Sequence, residues 1–236
     1  MTALILGLPS KGRLQAGAIG WFAARGIEIA RTGDDRQYAA QARGIDGLEV
    51  VMLSAGEIPR ELAQGRIHLG VTGEDLIRER IPGWRDRIVL AAPLGFGQAD
   101  LIVAVPAFWV DVETMADLDE VAEKFRARHG HGLRIATKYH TLTRAFFLSK
   151  GVADYRLADS QGATEAGPRN QSCEAIVDIT SSGGTLRANH LKPLSDGLIL
   201  QSQATLCVSR TAEWDAGTRG TLDQLANRIK VAMDID

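Results

Sequence analysis

Cysteine is scarce. The 236-residue chain has two, Cys173 and Cys207. Two thiols so far apart build no disulfide framework and point to a reducing compartment. They form no CxxC pair and do not cluster with the five histidines, His68, His129, His131, His140 and His190, so no zinc site is expected. An excess of one charge is also missing. Lys+Arg is 27 and Asp+Glu 29, a net −2, which removes any global electrostatic reason to bind nucleic acid or an anionic membrane. No window approaches the ~18 uninterrupted apolar residues of a membrane span. The opening MTALILGLPS lacks the basic start and the length of a signal peptide, so a cytoplasmic protein is expected. Repeats and low-complexity stretches are absent as well. Hydrophobic residues at 45% and charged residues at 24% are ordinary for a globular chain. Glycine is over-supplied, at 25 residues, or about 11% against a usual ~7%. Such glycine suits tight strand–helix turns and loops where backbone meets ligand.

At ~150 residues per domain, the length suggests one or two domains. Short apolar runs alternate with helical patterns. Residues 4–8, 50–53 and 69–72 read as strands. Leu14, Ala18, Trp21 and Phe22 fall at helical spacing after Gly12, with Gly26 as the stop. Further helices are expected near 58–64 and from Gly73. This order predicts an α/β domain with a largely parallel sheet. Apolar runs at 88–94 and 101–105 flank Gly95-Phe96-Gly97, which fits a crossing between domains. A second unit follows. It has a helix with Leu118, Val121, Ala122 and Phe125 on one face, strands at 133–136, 155–157 and 175–179, and a helix near 141–148. Runs at 198–200 and 204–208 read as late strands returning to the first domain. Leu222, Leu225, Ala226, Ile229 and Met233 define a last helix.

Four segments carry candidate chemistry. In DITSSGGTL (178–186) an apolar strand meets an acidic residue, then hydroxyls and glycines, then a helix. Backbone N–H groups, the close approach allowed by Gly183 and Gly184, and the hydroxyls of Thr180, Ser181, Ser182 and Thr185 suit a phosphate. Asp178 stands where a carboxylate accepts ribose hydroxyls. GxxxxGK[ST] is absent, so this is no P-loop. The alternative is a plain turn with Ser182 as N-cap. In LPSKGRL (8–14), Lys11 and Arg13 flank a glycine at a helix start and suit a diphosphate, or are a solvated pair. In GVTGED (70–75), which includes Thr72 and Gly73, Asp75 either holds a ligand hydroxyl or amine or caps the helix. In ATKY (136–139), Tyr139 suits stacking on a base and Lys138 a phosphate, or both are surface. No Ser/His/Asp or Cys/His arrangement can be argued.

In this order, LPSKGRL, GVTGEDL, RIATKY and DITSSGGTLRAN resemble the ATP phosphoribosyltransferase family, over nearly the whole chain. The resemblance implies a two-domain α/β architecture like that of type II periplasmic binding proteins, with the active site in the interdomain cleft. Domain I would be residues 1–93 plus 207–236, and domain II residues 94–206. It implies transfer of the phosphoribosyl group of phosphoribosyl pyrophosphate to N1 of ATP, the first step of histidine biosynthesis. Magnesium (Mg2+) would arrive with the substrate, without protein side-chain ligands. Residues 178–185 would hold the 5-phosphate, with Asp178 facing the ribose. Glu165, in GATE, matches the acidic residue of the family's GSVELAP-like segment. Lys11 and Arg13 would face the pyrophosphate, joined by Arg36 of DDRQY. Thr72, Gly73, Asp75, Lys138 and Tyr139 would lie near the nucleotide.

Three positions depart from the family's pattern. Ser54 stands where many members have arginine, and Gln171 and Glu174 stand for a common glycine and aspartate. A ring-nitrogen nucleophile and a good leaving group demand orientation and charge stabilisation more than a base. Two other readings compete. A solute-binding module would share the two lobes but need no cationic turn of the LPSKGRL type. A type I phosphoribosyltransferase opens its loop with two adjacent acidic residues, and here only Asp178 is present. Too few residues follow Ser209 for an independent regulatory domain of at least ~50 residues. A short-form catalytic subunit is therefore expected. It would assemble with itself and with a regulatory subunit resembling histidyl-tRNA synthetase, and histidine would act on the mixed complex.

Overall fold

The computed structural model describes residues 3–31, 39–160 and 162–233. The chain divides into two units, Met1–Gln98 with Gln203–Asp236, and Ala99–Ser202. Unit 1 holds β1 (Leu4–Pro9), α1 (Gly12–Ala23), β2 (Glu28–Arg31), β3 (Ala39–Arg43), β4 (Leu48–Leu53), α2 (Ile58–Ala63), β5 (Leu69–Gly73), α3 (Glu74–Arg80) and β6 (Ile88–Pro93), then β12 (Ala204–Ser209) and α7 (Ala216–Ile229). Unit 2 holds β7 (Ala99–Pro106), α4 (Met115–His129), β8 (Leu133–Thr137), α5 (His140–Lys150), β9 (Tyr155–Asp159), β10 (Ala175–Thr180), α6 (Gly184–Ala188) and β11 (Leu191–Ser202).

The sheet of unit 1 runs β2-β3-β4-β1-β5-β12-β6. Its centre, β4-β1-β5, is parallel. The outer pairings are antiparallel, so the sheet is mixed rather than largely parallel. Alternation sorts its side chains. Leu4, Leu6 and Leu8 pack with Ala18 and Phe22 of α1 and Leu222, Leu225 and Ile229 of α7. Ile5 turns to the opposite face, with Ile58 and Leu62 of α2 and Ile77 of α3. Covered on both faces, these strands read as continuous apolar runs.

Unit 2 has the order β11-β7-β10-β8-β9. Here β10, β8 and β9 are parallel, and β7 is antiparallel to β10 and β11. One face carries Leu101, Val103, Ile135 and Val177 against Leu118 and Ala122 of α4 and Phe147 of α5. The other carries Ile102, Ala136 and Ile176 against Cys173 and Leu186.

Several expectations need correction. The strands β2 and β3 have no counterpart in the sequence reading, because EIAR and AAQAR lack an apolar run. The 198–200 run lies within the twelve-residue β11, which stays in unit 2 beside β7, with bulges near Pro193 and Leu198; only β12 returns to unit 1. The chain crosses after Gln98 and again after Ser202, so 94–98 and 203–206 fall in unit 1. Backbone bonds tie them there, from Leu94 N–H to Ala204 O at 2.9 Å and from Ala204 N–H to Phe96 O at 3.0 Å. The last helix ends at Ile229, with Lys230 left-handed at φ 56; Met233 reaches the core from the segment beyond.

His68 ties three parts of unit 1 together. It is 5% exposed, with its ring edge-on to Trp214. Its Nδ1 accepts from Ile5 N–H at 3.1 Å, and its Nε2 lies 3.1 Å from Glu213 O, which can only accept. The ring is therefore the neutral Nε2–H tautomer. His68→Ala should leave both backbone groups unpaired beside a cavity and destabilise unit 1 by about 2–4 kcal/mol. Urea unfolding checks this, and an unchanged midpoint would contradict it.

Candidate active site

The register of unit 2 brings three strand ends level. Val177 pairs with Thr137, and Thr137 with Asp159. Asp178, Lys138 and Ser160, the next residues along, therefore stand side by side at the carboxyl ends of parallel strands, where α/β sheets bind ligands. The turn beginning at Thr164 adds two more groups, Thr164 and Glu165.

Asp178 is half-buried. Burial raises its pKa above the ordinary aspartate range. Three interactions oppose that rise: the Ile179 N–H, donating to Oδ1 at 2.9 Å, the Lys138 ammonium and a hydrogen bond from Thr164. Glu165, a like charge, reinforces the rise. Lys138 also donates to Gly162 O at 3.1 Å, which steadies its head group over this cluster.

Past Asp178, the chain turns into α6. Gly183, at φ 67, is the N-cap, a conformation that favours glycine. Its N–H donates to Thr180 Oγ1 at 3.0 Å, whereas Ser182 Oγ takes the Gly184 N–H at a longer 3.4 Å. The turn thus rests on Thr180 rather than on Ser182 as cap. Leu186 anchors α6 in the core, while Ser181, Ser182 and Thr185 are exposed. The loop therefore presents hydroxyls and backbone to solvent on a fixed base.

Unit 1 has its own set of strand ends. Pro9 pairs with Leu53, and Gly7 with Gly70, so the ends of β1, β4 and β5 lie together. Lys11 and Arg13 are exposed where α1 begins, with Lys11 as an extended N-cap. Among the described residues neither makes an ion pair. Thr72 is buried and donates to Ala55 O at 2.9 Å. Gly73 is the N-cap of α3, and Asp75 is buried in its first turn. Ser54 N–H donates to Glu57 Oε2 at 3.0 Å, and that bond is among the causes lowering the Glu57 pKa. Ser54 thereby closes the turn into α2.

Tyr139 is only 6% exposed and packs in the core of unit 2, so its ring is not an open face for a base. Arg36 lies outside the described residues. Gln171 is left-handed, at φ 56, a conformation that favours glycine. Burial alone would raise the Glu174 pKa, but hydrogen bonds from the Arg134 side chain and backbone hold it below the usual range. Glu174 is thus a structural partner of Arg134. Sequence reasoning missed Ser160 and Thr164. The only signal available was a pair of hydroxyls beside Glu165, in a segment too polar to place.

Two mixed sheets, each with polar groups gathered at the ends of parallel strands, make this a two-unit α/β chain. The family model of ATP phosphoribosyltransferase (HisG) matches residues 54–231. An ATP phosphoribosyltransferase of Cereibacter sphaeroides is 61% identical over 211 residues, covering 89% of each chain. One from Mesorhizobium japonicum is 50% identical over 98% of this chain and 99% of its own. Another, from Nitrobacter winogradskyi, is 52% identical over 98% of this chain but 72% of its own length. The chain belongs to the ATP phosphoribosyltransferase family. Its fold is also similar to the ATP phosphoribosyl transferase (HisG:HisZ) complex from Thermotoga maritima, with TM-score 0.69 and 21% identity over 96% of both chains. An arginine-bound ArgBP from T. maritima shares the fold at TM-score 0.50 and 14% identity, covering 97% of this chain and 95% of its own.

A raised carboxyl pKa has a consequence for stability. Asp178 binds its proton more readily when folded than when unfolded, so its contribution is favourable at low pH and is lost as pH rises through the folded pKa. Asp178→Asn should therefore melt higher than wild type at pH 7, with the gap closing below ~pH 3.9, the ordinary aspartate value. Thermal denaturation across pH checks this; a variant less stable at pH 7 would contradict it.

Proposed function

We propose that this chain transfers the phosphoribosyl group of phosphoribosyl pyrophosphate to N1 of the adenine of ATP, releasing pyrophosphate, as the first step of histidine biosynthesis. One observation carries the reading beyond family membership: Asp178, half-buried where the parallel pairing of β10 ends, lies just before a glycine loop whose Ser181, Ser182 and Thr185 are exposed. The loop hydroxyls and N–H groups suit the 5-phosphate, and the carboxylate suits ribose hydroxyls, which donate to it.

In the reaction, the bond from the anomeric carbon to the diphosphate oxygen breaks and a bond to N1 forms. N1 attacks with its own lone pair, so no base need remove a proton first. Positive charge grows on the ribose ring as the diphosphate departs, and Asp178 and Glu165 supply negative charge beside it. Lys11 and Arg13, unpaired among the described residues, suit the departing diphosphate; Arg36 is assigned the same role. Thr72, Gly73, Asp75 and Lys138 are assigned to the nucleotide. The ring of Tyr139 is buried in the core of unit 2.

The magnesium is read as part of the substrate, neutralising diphosphate charge. Assembly is likewise a proposal: self-association, together with a regulatory subunit resembling histidyl-tRNA synthetase, in the cytoplasm. The similar fold from Thermotoga maritima belongs to a complex of HisG with HisZ, which supports a mixed assembly. No described helix is long and apolar enough to cross a membrane.

A pyrophosphate-release assay with ATP and phosphoribosyl pyrophosphate tests the reaction, alone and with the candidate partner. Turnover is expected; binding without turnover would favour a solute-binding module. Asp178→Asn should lower kcat/KM for phosphoribosyl pyrophosphate about 10- to 150-fold, the worth of one charged hydrogen bond. Lys11→Ala should lower kcat by about tenfold or more while weakening ATP binding less. A rise confined to the ATP KM would move Lys11 to the nucleotide. Histidine should inhibit the mixed complex and scarcely affect this chain alone, and calorimetry showing tight binding to the isolated chain would contradict that.

A further inference from the structure

We propose that Thr164, with Ser160 behind it, is a positioning residue: a relay of two hydroxyls that holds the Asp178 carboxylate in the orientation that receives the sugar. The sugar as recipient rests on the reaction proposed above; the relay rests on the Ser160–Thr164 contact and on the packing of the Thr164 turn against β10.

Thr164 is 1% exposed, so its hydroxyl must find its partners within the protein. It has two. Its Oγ1 lies 2.8 Å from Ser160 Oγ, and its turn packs against β10, where the Thr164 hydroxyl is among the hydrogen-bonding groups that lower the Asp178 pKa. Between two hydroxyls either can donate, but an ionised carboxylate has only lone pairs to offer. Thr164 O–H therefore points to Asp178, and Ser160 O–H points to Thr164. The direction of the relay follows from the charge at its end.

The backbone under Thr164 is fixed as well. Its carbonyl accepts the Gly167 N–H at 3.0 Å. Gly167 is packed so closely that an added Cβ would lie 2.5 Å from Cys173 Sγ and 3.1 Å from Thr164 O. A branched side chain on so fixed a backbone has little rotamer freedom. The other groups facing Asp178 are accounted for element by element. Lys138 comes from the end of β8, and Glu165 from the same turn as Thr164. From β7, Ile102 lies opposite Asp178, and Asp100 lies opposite Thr180.

The test compares Thr164→Val, Thr164→Ser and Ser160→Ala in the full chain. Two readouts are needed: NMR titration of the Asp178 carboxyl without substrate, and the pH profile of kcat/KM for phosphoribosyl pyrophosphate. Thr164→Val keeps the shape but removes the donor. It should move the Asp178 titration and the acid limb of the profile to higher pH, and lower kcat/KM about tenfold. Thr164→Ser should recover activity to within about threefold, and Ser160→Ala should shift the titration in the same direction by less. An unmoved titration in Thr164→Val, or a Ser variant as impaired as the Val variant, would overturn the relay in favour of packing alone. Should Thr164→Val fail to fold, an unmoved titration in Ser160→Ala would overturn it instead. A chain that turns over neither substrate, yet shows the upward shift in Thr164→Val, would uphold the relay and remove the reaction.

Discussion

Asp178 is drawn partly out of water where the parallel pairing of β10 with β8 ends, and groups from three places in the chain bear on that carboxylate. Burial pushes it toward the neutral form, and Glu165 adds repulsion. The Ile179 N–H, the Lys138 ammonium and the Thr164 hydroxyl work the other way. An isolated aspartate in this position would simply weaken the fold. Held by three donors from three places in the chain, it becomes a preorganised acceptor, at the cost of some stability at neutral pH. Perturbed carboxyls of this kind concentrate at functional sites, where local stability is given up for chemistry.

The donors converge because of strand register. With β10, β8 and β9 parallel and in step, the residues after Val177, Thr137 and Asp159 emerge at one sheet edge. A slip of one residue would turn each of these side chains to the opposite face. Unit 1 repeats the device: β1, β4 and β5 bring Lys11, Ser54 and Thr72 to a common edge. In both units the apolar strand interiors serve to aim the polar residues that follow them.

Much of this was legible in the sequence, for identifiable reasons. Buried parallel strands leave unbroken apolar runs, so β1, β4, β5, β8 and β10 stood out, and the loop after Asp178 carried its glycines openly. What escaped was structure held by pairing rather than by composition. The edge strands β2 and β3 contain Glu, Gln and Arg among alanines. The long β11 is broken by Pro193 and Gly197, so only its 198–200 core was visible. Tyr139 looked free because it follows a lysine, yet its ring is buried in the core of unit 2. Periodicity carried Met233 into the last helix, although Lys230 had already turned the chain out of it. Ser160 and Thr164 could not be placed at all, since their role depends on a carboxylate elsewhere in the sequence.

The central claim is that the end of β10 and the loop after it receive the sugar phosphate. The most direct measurement is a crystal structure of the chain with phosphoribosyl pyrophosphate bound. The 5-phosphate should lie against the hydroxyls and N–H groups of residues 180–185, with the ribose hydroxyls donating to Asp178. A sugar phosphate bound away from this loop, with Asp178 still facing only Thr164, Lys138 and its own backbone, would contradict the account.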